Sequence, residues 1–312
     1  MEAVALCSVN CFGLVPGYVG VTARFRWSSI LNLYLTVIFY TLTITAAFAV
    51  FLPGSVGIAD LIKALFPFAF GYYWYFTAYF FIFFFFPAFN HLMNTMDKVQ
   101  ARMLIIAIVV LLSILPTVFM RDIFYAHSGY SALWLGALYL IGAYIRKYGF
   151  GTQKSSGFWW AVFAGCILLS WSEKPIIDRI AAAGFSDPIS GTLLLDYCSP
   201  TILAASAALL ILFSRFRFGA ISKKVITFFS PLAFSVYLIH VQPQIWTHFI
   251  KGRFAAFADF PVLLMISAAV GAAFGIWLIC SLIDAVRLHL FRLLKVRERC
   301  GRLDGWLQRK LQ

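Results

Sequence analysis

An imidazole lies in the middle of an apolar run in the last third of the chain. In Ala233–Trp246, which reads AFSVYLIHVQPQIW, His240 occupies a position where a lipid-facing helix would carry leucine. Helical spacing puts Tyr237 and Gln244 on the same face, and Pro243 loosens the helix after it. Such a histidine either faces a polar cavity, where it can accept a proton, or links neighbouring helices as a neutral hydrogen-bonding group. Both interpretations stay open.

Four basic residues could bind a phosphate-bearing ligand, because Arg and Lys cations hold phosphate groups. Arg24 and Arg26 follow the first apolar run, and Arg146 and Lys147 follow the fifth. The alternative for both pairs is an anchoring role at the membrane surface, in contact with anionic lipid.

Three aromatic residues form a further candidate site. Trp74, Tyr75 and Tyr79 occur at i, i+1 and i+5 near one end of the third apolar run, where they could stack on a sugar ring. Interfacial aromatic belts give the same pattern, so this alternative also stays open. The six cysteines are scattered without the spacing of metal ligands, and we expect no metal site.

The composition indicates that a bilayer surrounds these residues. Of 312 residues, 62% are hydrophobic and 12% are charged, whereas about a quarter are charged in soluble domains. The amphipathic stretch 55–66 is expected to lie along the interface. No repeat or linker appears, so we expect one transmembrane domain over 1–290 and a basic cytoplasmic tail over 291–312. Nine runs are long enough to cross hydrocarbon: 3–21, 28–52, 68–90, 103–120, 130–145, 157–172, 192–213, 225–249 and 261–286.

The basic residues between these runs predict the orientation. Of the 25 lysines and arginines, 19 fall in alternate connections and in the tail. Since basic residues concentrate on the cytoplasmic side, we expect the N-terminus outside and the C-terminus in the cytoplasm. The net charge of +13 is therefore a topology signal, and we expect no nucleic-acid partner.

Five phrases follow one another in order along the chain. They are VNCFGLVPGYV (9–19), YYWYFTAYFFIFFFFPAFN (72–90), GYSALWLGALYLIGAYIRKYG (129–149), DYCSPTILAASAALLILF (196–213) and SPLAFSVYLIHVQPQIW (230–246). Together these phrases resemble the acyltransferase-3 family. The resemblance implies an all-α, polytopic transmembrane helix bundle that moves an acyl group, usually acetyl from acetyl-CoA, onto a hydroxyl of a cell-surface carbohydrate. Acyl-CoA would be a co-substrate, with no bound cofactor, and the bilayer and the carbohydrate would be the other partners.

The resemblance gives the candidate residues roles in O-acylation at the plasma membrane. His240 becomes the candidate catalytic residue. The predicted acyl-donor site is Arg24, Arg26, Arg146 and Lys147. The predicted acceptor site is Trp74, Tyr75, Tyr79, Tyr237 and Gln244.

One departure from the family concerns its first helix, which carries an Arg and a His regarded as essential. The sequence begins at the phrase of the second helix, so we expect nine spans instead of ten. We also expect the chain starting at Met1 not to catalyse transfer by itself. A catalytically inactive fragment or relative is one alternative. A permease or flippase is another, although its usual inverted repeats do not appear.

Overall fold

A computed structural model describes residues 2–173, 179 and 194–311. Every regular element in these residues is helical, which confirms the predicted all-α class. We number the α-helices in chain order. They are α1 Glu2–Gly20, α2 Trp27–Phe51, α3 Ile58–Leu65, α4 Trp74–Phe83, α5 Phe86–Thr95, α6 Lys98–Val109, α7 Leu115–Phe119, α8 Ala132–Tyr148, α9 Ser156–Trp171, α10 Pro200–Arg215, α11 Ala220–Phe229, α12 Ala233–His240, α13 Pro243–Ile245, α14 Val262–Leu293 and α15 Val296–Leu311.

The predicted count of nine spans is not confirmed. Among the described residues, four helical segments are long and apolar enough to cross a membrane: α1, α2, α14 and Lys98–Phe119. Two bent pairs raise the number to six if each pair is one span. The α9 and α10 helices have 16 residues each, shorter than a perpendicular crossing requires. Residues 192–193, where one predicted span begins, lie outside the described part of the chain.

The bent pairs explain part of this difference. The predicted span 68–90 contains a 58° bend between α4 and α5, and 225–249 contains a 62° bend between Ala220–His240 and Pro243–Ile250. A proline occupies the first turn of the second helix in each pair, at Pro87 and Pro243. Hydropathy alone counts such a run as straight, because the residues at the bend are themselves apolar or uncharged.

The chain forms two compact units whose boundary falls within α4. Unit 1 comprises Met1–Phe25 and Ala78–Arg217, and unit 2 comprises Arg26–Thr77 and Phe218–Gln312. Unit 1 therefore contains α1 and α5 to α10. Unit 2 contains α2, α3 and α11 to α15.

Unit 1 is built around a close contact between α1 and α8. A Cβ added to Gly17 would lie 1.9 Å from the carbonyl oxygen of Tyr139, and one added to Gly142 would lie 2.0 Å from that of Leu14. Helices approach this closely only where small residues meet, which is a common arrangement inside membranes. The glycines therefore fix the separation of the two helices.

Unit 2 is organised around α2. The Thr41 hydroxyl of α2 donates to the carbonyl oxygen of Ala64 in α3, 2.6 Å away. The stretch predicted to lie along the interface thus contains a short helix, in which Asp60 and Lys63 are partly exposed. The α15 helix packs on the start of α2, where the Asp304 carboxylate accepts hydrogen from the Trp27 amide at 3.0 Å. The predicted domain limit at residue 290 stays a prediction.

Candidate active site

His240 is the last residue of α12, where the bent pair in unit 2 breaks. Val241 and Gln242 separate α12 from α13. Pro243 opens α13 and has no amide hydrogen with which to continue the helical ladder. Irregular backbone inside an apolar segment is tolerated where protein or a polar cavity surrounds it. The local sequence therefore puts the imidazole at a helix end and away from a regular lipid-facing position.

The imidazole is held by the backbone of its own helix. Nδ1 of His240 lies 2.6 Å from the carbonyl oxygen of Val236, one turn earlier. Because a carbonyl oxygen only accepts, this contact assigns the hydrogen to Nδ1 and leaves the lone pair on Nε2. The ring is partly buried and lies 6.5 Å from the Tyr237 ring, centroid to centroid. A neutral imidazole with an accepting Nε2 is the form that a general base requires.

His248 is held in the same way eight residues later. Its Nδ1 lies 2.9 Å from the carbonyl oxygen of Gln244, and its ring packs against Phe48 with centroids 5.1 Å apart. The two histidines thus share a tautomer, but His248 follows the bend in a π-helical turn, Trp246–Ile250. This makes His248 the matched control for His240.

Two buried glutamines cap the second half of the broken helix. Oε1 of Gln242 accepts from the amides of Gln244 and Ile245, at 2.8 and 3.0 Å, and its amide nitrogen donates to the Gln244 side chain. The Tyr72 hydroxyl donates to Oε1 of Gln244 across 3.3 Å. Predicted acceptor residue Gln244 therefore already belongs to a local polar network.

The predicted aromatic residues are divided between the units. In unit 2, the ring of buried Tyr75 lies 6.3 Å from that of Tyr237 and 5.6 Å from that of Trp74. Tyr73, which sequence reasoning missed, donates from its hydroxyl to the carbonyl oxygen of Leu238, 2.8 Å away. The structure thus brings Trp74, Tyr75 and Tyr237 into one aromatic group.

Tyr79 belongs to unit 1. Its ring lies 5.7 Å from the Phe86 ring and 6.4 Å from the Phe83 ring, centroid to centroid. These neighbours are apolar aromatic rings. They make Tyr79 part of the packing between α4 and α5.

The predicted donor residues also occupy different environments. Arg24 and Arg26 are exposed in the turn between α1 and α2. The Arg146 guanidinium lies over the Tyr18 ring, 5.2 Å from its centroid. Their assignment to the acyl donor stays a prediction.

Lys147 contacts the backbone in the folded chain, and its assignment to the acyl donor stays a prediction. Its ammonium donates to three carbonyl oxygens at the end of α5, those of Met93 at 2.6 Å, Asn94 at 3.2 Å and Met96 at 3.1 Å. An ammonium has three donors, so these contacts occupy all of them. Lys147 thereby caps the C-terminus of α5, which favours positive charge.

Sequence reasoning also missed a buried ion pair in unit 2. Asp284 is fully buried, and the Arg287 guanidinium, 5% exposed, donates to both of its carboxylate oxygens at 2.7 and 2.9 Å. The Tyr40 hydroxyl from α2 donates to the same carboxylate. The signal was available in the sequence, because an Asp and an Arg one turn apart inside an apolar run are expected to be paired.

One protein-family model covers most of the chain. This model, described as an acyltransferase domain and named for acyltransferase-3, matches residues 2–282. The chain belongs to the acyltransferase-3 family. No curated protein and no solved structure matches it.

The acyltransferase-3 match divides the features of unit 2 into two groups. His240, Gln242, Gln244 and the aromatic group lie inside the matched residues. Asp284, Arg287 and the whole of α15 follow the last matched residue, 282. The broken helix is thus part of the family domain, whereas the buried ion pair belongs to the segment that follows it.

Proposed function

We propose that this membrane protein transfers an acyl group, acetyl in the simplest case, from acyl-CoA to a hydroxyl of a cell-surface carbohydrate. The observation that carries the proposal is His240, whose Nε2 keeps its lone pair at the break of an apolar helix in an acyltransferase-3 domain. In this proposal the protein lies in the plasma membrane with its C-terminus in the cytoplasm, where acyl-CoA is made.

His240 would act as the general base. As the acceptor hydroxyl oxygen attacks the thioester carbonyl carbon, its proton passes to Nε2 of His240. The tetrahedral intermediate then collapses, so that the new C–O bond remains and the C–S bond breaks. The departing thiolate of coenzyme A takes the proton back from Nε2. Charge and protons balance, and the step needs no oxidant or reductant.

The side chains around the bend would bind the acceptor. Sugar rings stack on aromatic faces, and the unit 2 group of Trp74, Tyr75 and Tyr237 supplies such faces on the same unit as His240. The side-chain amide of Gln244 offers hydrogen-bonding groups to sugar hydroxyls. Tyr79 would contribute to acceptor binding indirectly, through the packing that positions α4.

The proposal is tested by acyl transfer in membranes that contain the protein. Transfer by wild type in this first arm would contradict the sequence-based expectation that the chain starting at Met1 does not catalyse transfer by itself. Radiolabelled acetyl-CoA is supplied, and label is measured in the carbohydrate fraction for wild type, His240→Ala and His248→Ala. Loss of the base is expected to slow transfer by about 10²–10⁴-fold. His248→Ala should stay within about twofold, since its imidazole has the same backbone contact but lies beyond the bend.

A second arm supplies a first helix of the family type in trans, because the resemblance attributes an essential Arg and His to it. Transfer that persists in His240→Ala would assign the base to that helix. Absence of transfer from acetyl-CoA and from longer acyl-CoA donors in both arms would contradict acyl transfer and favour an inactive or transporting protein.

A further inference from the structure

Unit 2 contains a cavity of about 830 Å³ that the chemistry proposed for His240 does not involve. One wall is a polar stripe on α2, where Ser29, Asn32 and Thr36 follow at helical spacing. A second wall is the start of α12, with Phe234 and Ser235. The volume falls within the range of about 300–1,000 Å³ that is usual for small-molecule sites.

The third wall is formed by the end of α14 and the start of α15, and it is strongly basic. Arg287, Arg292, Lys295 and Arg297 line it, together with one acidic residue, Glu298. Arg287 is neutralised by Asp284, which leaves three cations and one carboxylate facing the cavity. Those three cations form no ion pair with a carboxylate of the described residues. The wall therefore carries an excess of positive charge.

The buried ion pair fixes the floor of this wall. Both Arg287–Asp284 hydrogen bonds and the Tyr40 contact hold the guanidinium in one orientation, and its Nη1 lies 3.5 Å from the Thr36 hydroxyl. The Arg287 guanidinium also lies over the Phe291 ring, 5.0 Å from its centroid. A rigid inner surface with an exposed cationic rim suits a ligand whose charged end stays near water.

We propose that this cavity binds the phosphate-bearing end of the acyl-CoA donor, an inference that rests on the acyl-transfer function proposed above. Three cations match a group of phosphate esters, whose several negative charges favour clustered Arg and Lys. The volume exceeds what inorganic phosphate fills, which indicates an organic phosphate with an extended body. An anionic lipid headgroup shares this phosphate chemistry.

The cavity also lies close enough to His240 along α12 for a donor bound in it to reach the proposed base. Ser235, on its wall, precedes His240 by five residues of the same helix, a rise of about 7.5 Å. With the phosphates at Arg292, Lys295 and Arg297, a thioester arm running along α12 would approach the proposed base. The donor would thus be held by residues that follow the family-matched segment.

The test measures coenzyme A binding to the full chain in nanodiscs of zwitterionic lipid. The Lys295→Gln/Arg297→Gln variant should bind coenzyme A at least tenfold more weakly than wild type. The matched control, Arg309→Gln/Lys310→Gln, removes the same charge from the far end of α15 and should stay within twofold. Equal weakening in both variants would overturn the site and indicate a general charge effect.

A second measurement does not depend on any variant. In wild-type protein, coenzyme A should slow the modification of Lys295 by an amine-reactive reagent at least threefold, as read by mass spectrometry. Modification of Lys251, in the loop before α14, should not change. Unaltered modification of Lys295 at saturating coenzyme A would overturn the proposal.

Two further measurements distinguish coenzyme A from an anionic lipid as the ligand. They also distinguish failure of the cavity proposal from failure of the proposed acyl-transfer function. If phosphatidylglycerol protects Lys295 while coenzyme A does not, the cavity is a lipid site and the donor assignment is wrong. If acyl transfer occurs but the KM for acyl-CoA is the same in Lys295→Gln/Arg297→Gln, the cavity proposal fails while the function stands. Coenzyme A binding that depends on the cavity, without any acyl transfer, would support the cavity as a binding site and contradict the proposed function.

Discussion

Units 1 and 2 contain the same G-x-x-x-G spacing but use it differently. In α1, Gly13 and Gly17 face α8, and a Cβ on Gly17 would collide with a backbone carbonyl. In α14, a Cβ on Gly271 or Gly275 would meet no heavy atom of the described residues within 4 Å. Close packing therefore needs a small residue on the opposing helix as well, which α8 supplies at Gly142. The spacing alone does not identify a helix contact.

The two units treat their basic residues differently too. In unit 1, Lys147 and Arg215 donate to backbone carbonyl oxygens, Lys147 at the end of α5 and Arg215 at Gly151 and Lys154. In unit 2, Arg287 is buried on a carboxylate and its neighbours line a cavity. Arg253 and Arg309 of unit 2 also donate to carbonyl oxygens, so the difference is that unit 2 has in addition a cluster of cations at a cavity wall.

Buried cysteines allow this comparison to be measured in each unit separately. Cys7 and Cys198 are buried in unit 1, and Cys280 and Cys300 are buried in unit 2. Burial raises the pKa of the Cys300 thiol, which keeps it protonated and slow to react until the unit opens. Thermal unfolding followed by thiol labelling and mass spectrometry therefore reports on each unit.

The largest expected effect comes from breaking the buried ion pair in unit 2. Asp284→Asn leaves Arg287 buried without a counter-charge, and we expect the free energy of unfolding to fall by about 3–5 kcal/mol. The double variant Asp284→Leu/Arg287→Leu should recover most of this loss. Labelling of Cys280 should begin at a lower temperature while labelling of Cys7 is unchanged. An equal shift of both thiols would mean that the units unfold together.

Lys147→Met should give the next largest effect, and in unit 1 alone. The substitution leaves three carbonyl oxygens without a charged donor, and we expect a loss of about 1.5–3 kcal/mol. Coenzyme A affinity should not change, because the ammonium is occupied in the fold. If the variant has wild-type stability but binds coenzyme A more weakly, Lys147 belongs to the donor site. The difference drawn between the basic residues of the two units would then be wrong.

Gly17→Ala tests the close helix contact in unit 1. The new methyl group would lie 1.9 Å from the Tyr139 carbonyl oxygen, so the helices must separate, at a cost of about 1–3 kcal/mol. Gly165→Ala in α9 and Gly275→Ala in α14 are matched controls, since neither methyl group would meet a neighbour among the described residues. Labelling of Cys7 during heating measures Gly17→Ala and Gly165→Ala in unit 1, and labelling of Cys280 measures Gly275→Ala in unit 2. Wild-type stability of Gly17→Ala would show that the glycine does not fix the helix separation.

The smallest effect is expected at the exposed Lys63–Asp60 pair of α3. Its charged atoms are 4.0 Å apart and both side chains are at least one-third exposed. Lys63→Gln should change the free energy of unfolding by no more than about 0.5 kcal/mol, because solvent screens such pairs. Labelling of Cys280 measures it. A larger loss would show that α3 contributes more to unit 2 than its single ion pair and its contact with α2 indicate.

The helical class and the family could be predicted from the sequence because they depend on long apolar runs and on local phrases. The count of nine spans stays a prediction. Two of the predicted runs contain bends that hydropathy does not reveal, because the residues around the bend between α4 and α5 are aromatic and apolar. His240 was singled out as an ionisable residue in an apolar run, and the structure places it at a helix end. Its contact from Nδ1 to Val236 follows from helical backbone and could have been anticipated, whereas its catalytic role stays a prediction.

The basic cavity could not be predicted from the sequence, for a physical reason. Tyr40 and Asp284 are 244 residues apart, and only tertiary packing brings the polar stripe of α2 against α14. In the sequence, the basic residues after Arg287 were already explained by the cytoplasmic position of the tail, so nothing indicated that they line a cavity. Lys147 is the opposite case. Its position in the sequence suited a phosphate site, but in the fold its ammonium donates to backbone carbonyl oxygens.

The Gln242 side chain has a consequence for the biogenesis of unit 2. A break in an apolar helix exposes amides that hydrocarbon cannot satisfy. Here the acceptor for the amides of Gln244 and Ile245 comes from the residue immediately before α13, so these two amides need no hydrogen bond from another helix or from water. We therefore expect the nascent segment to enter the bilayer with these two amides already capped, so that its kink can form before the helices around it assemble.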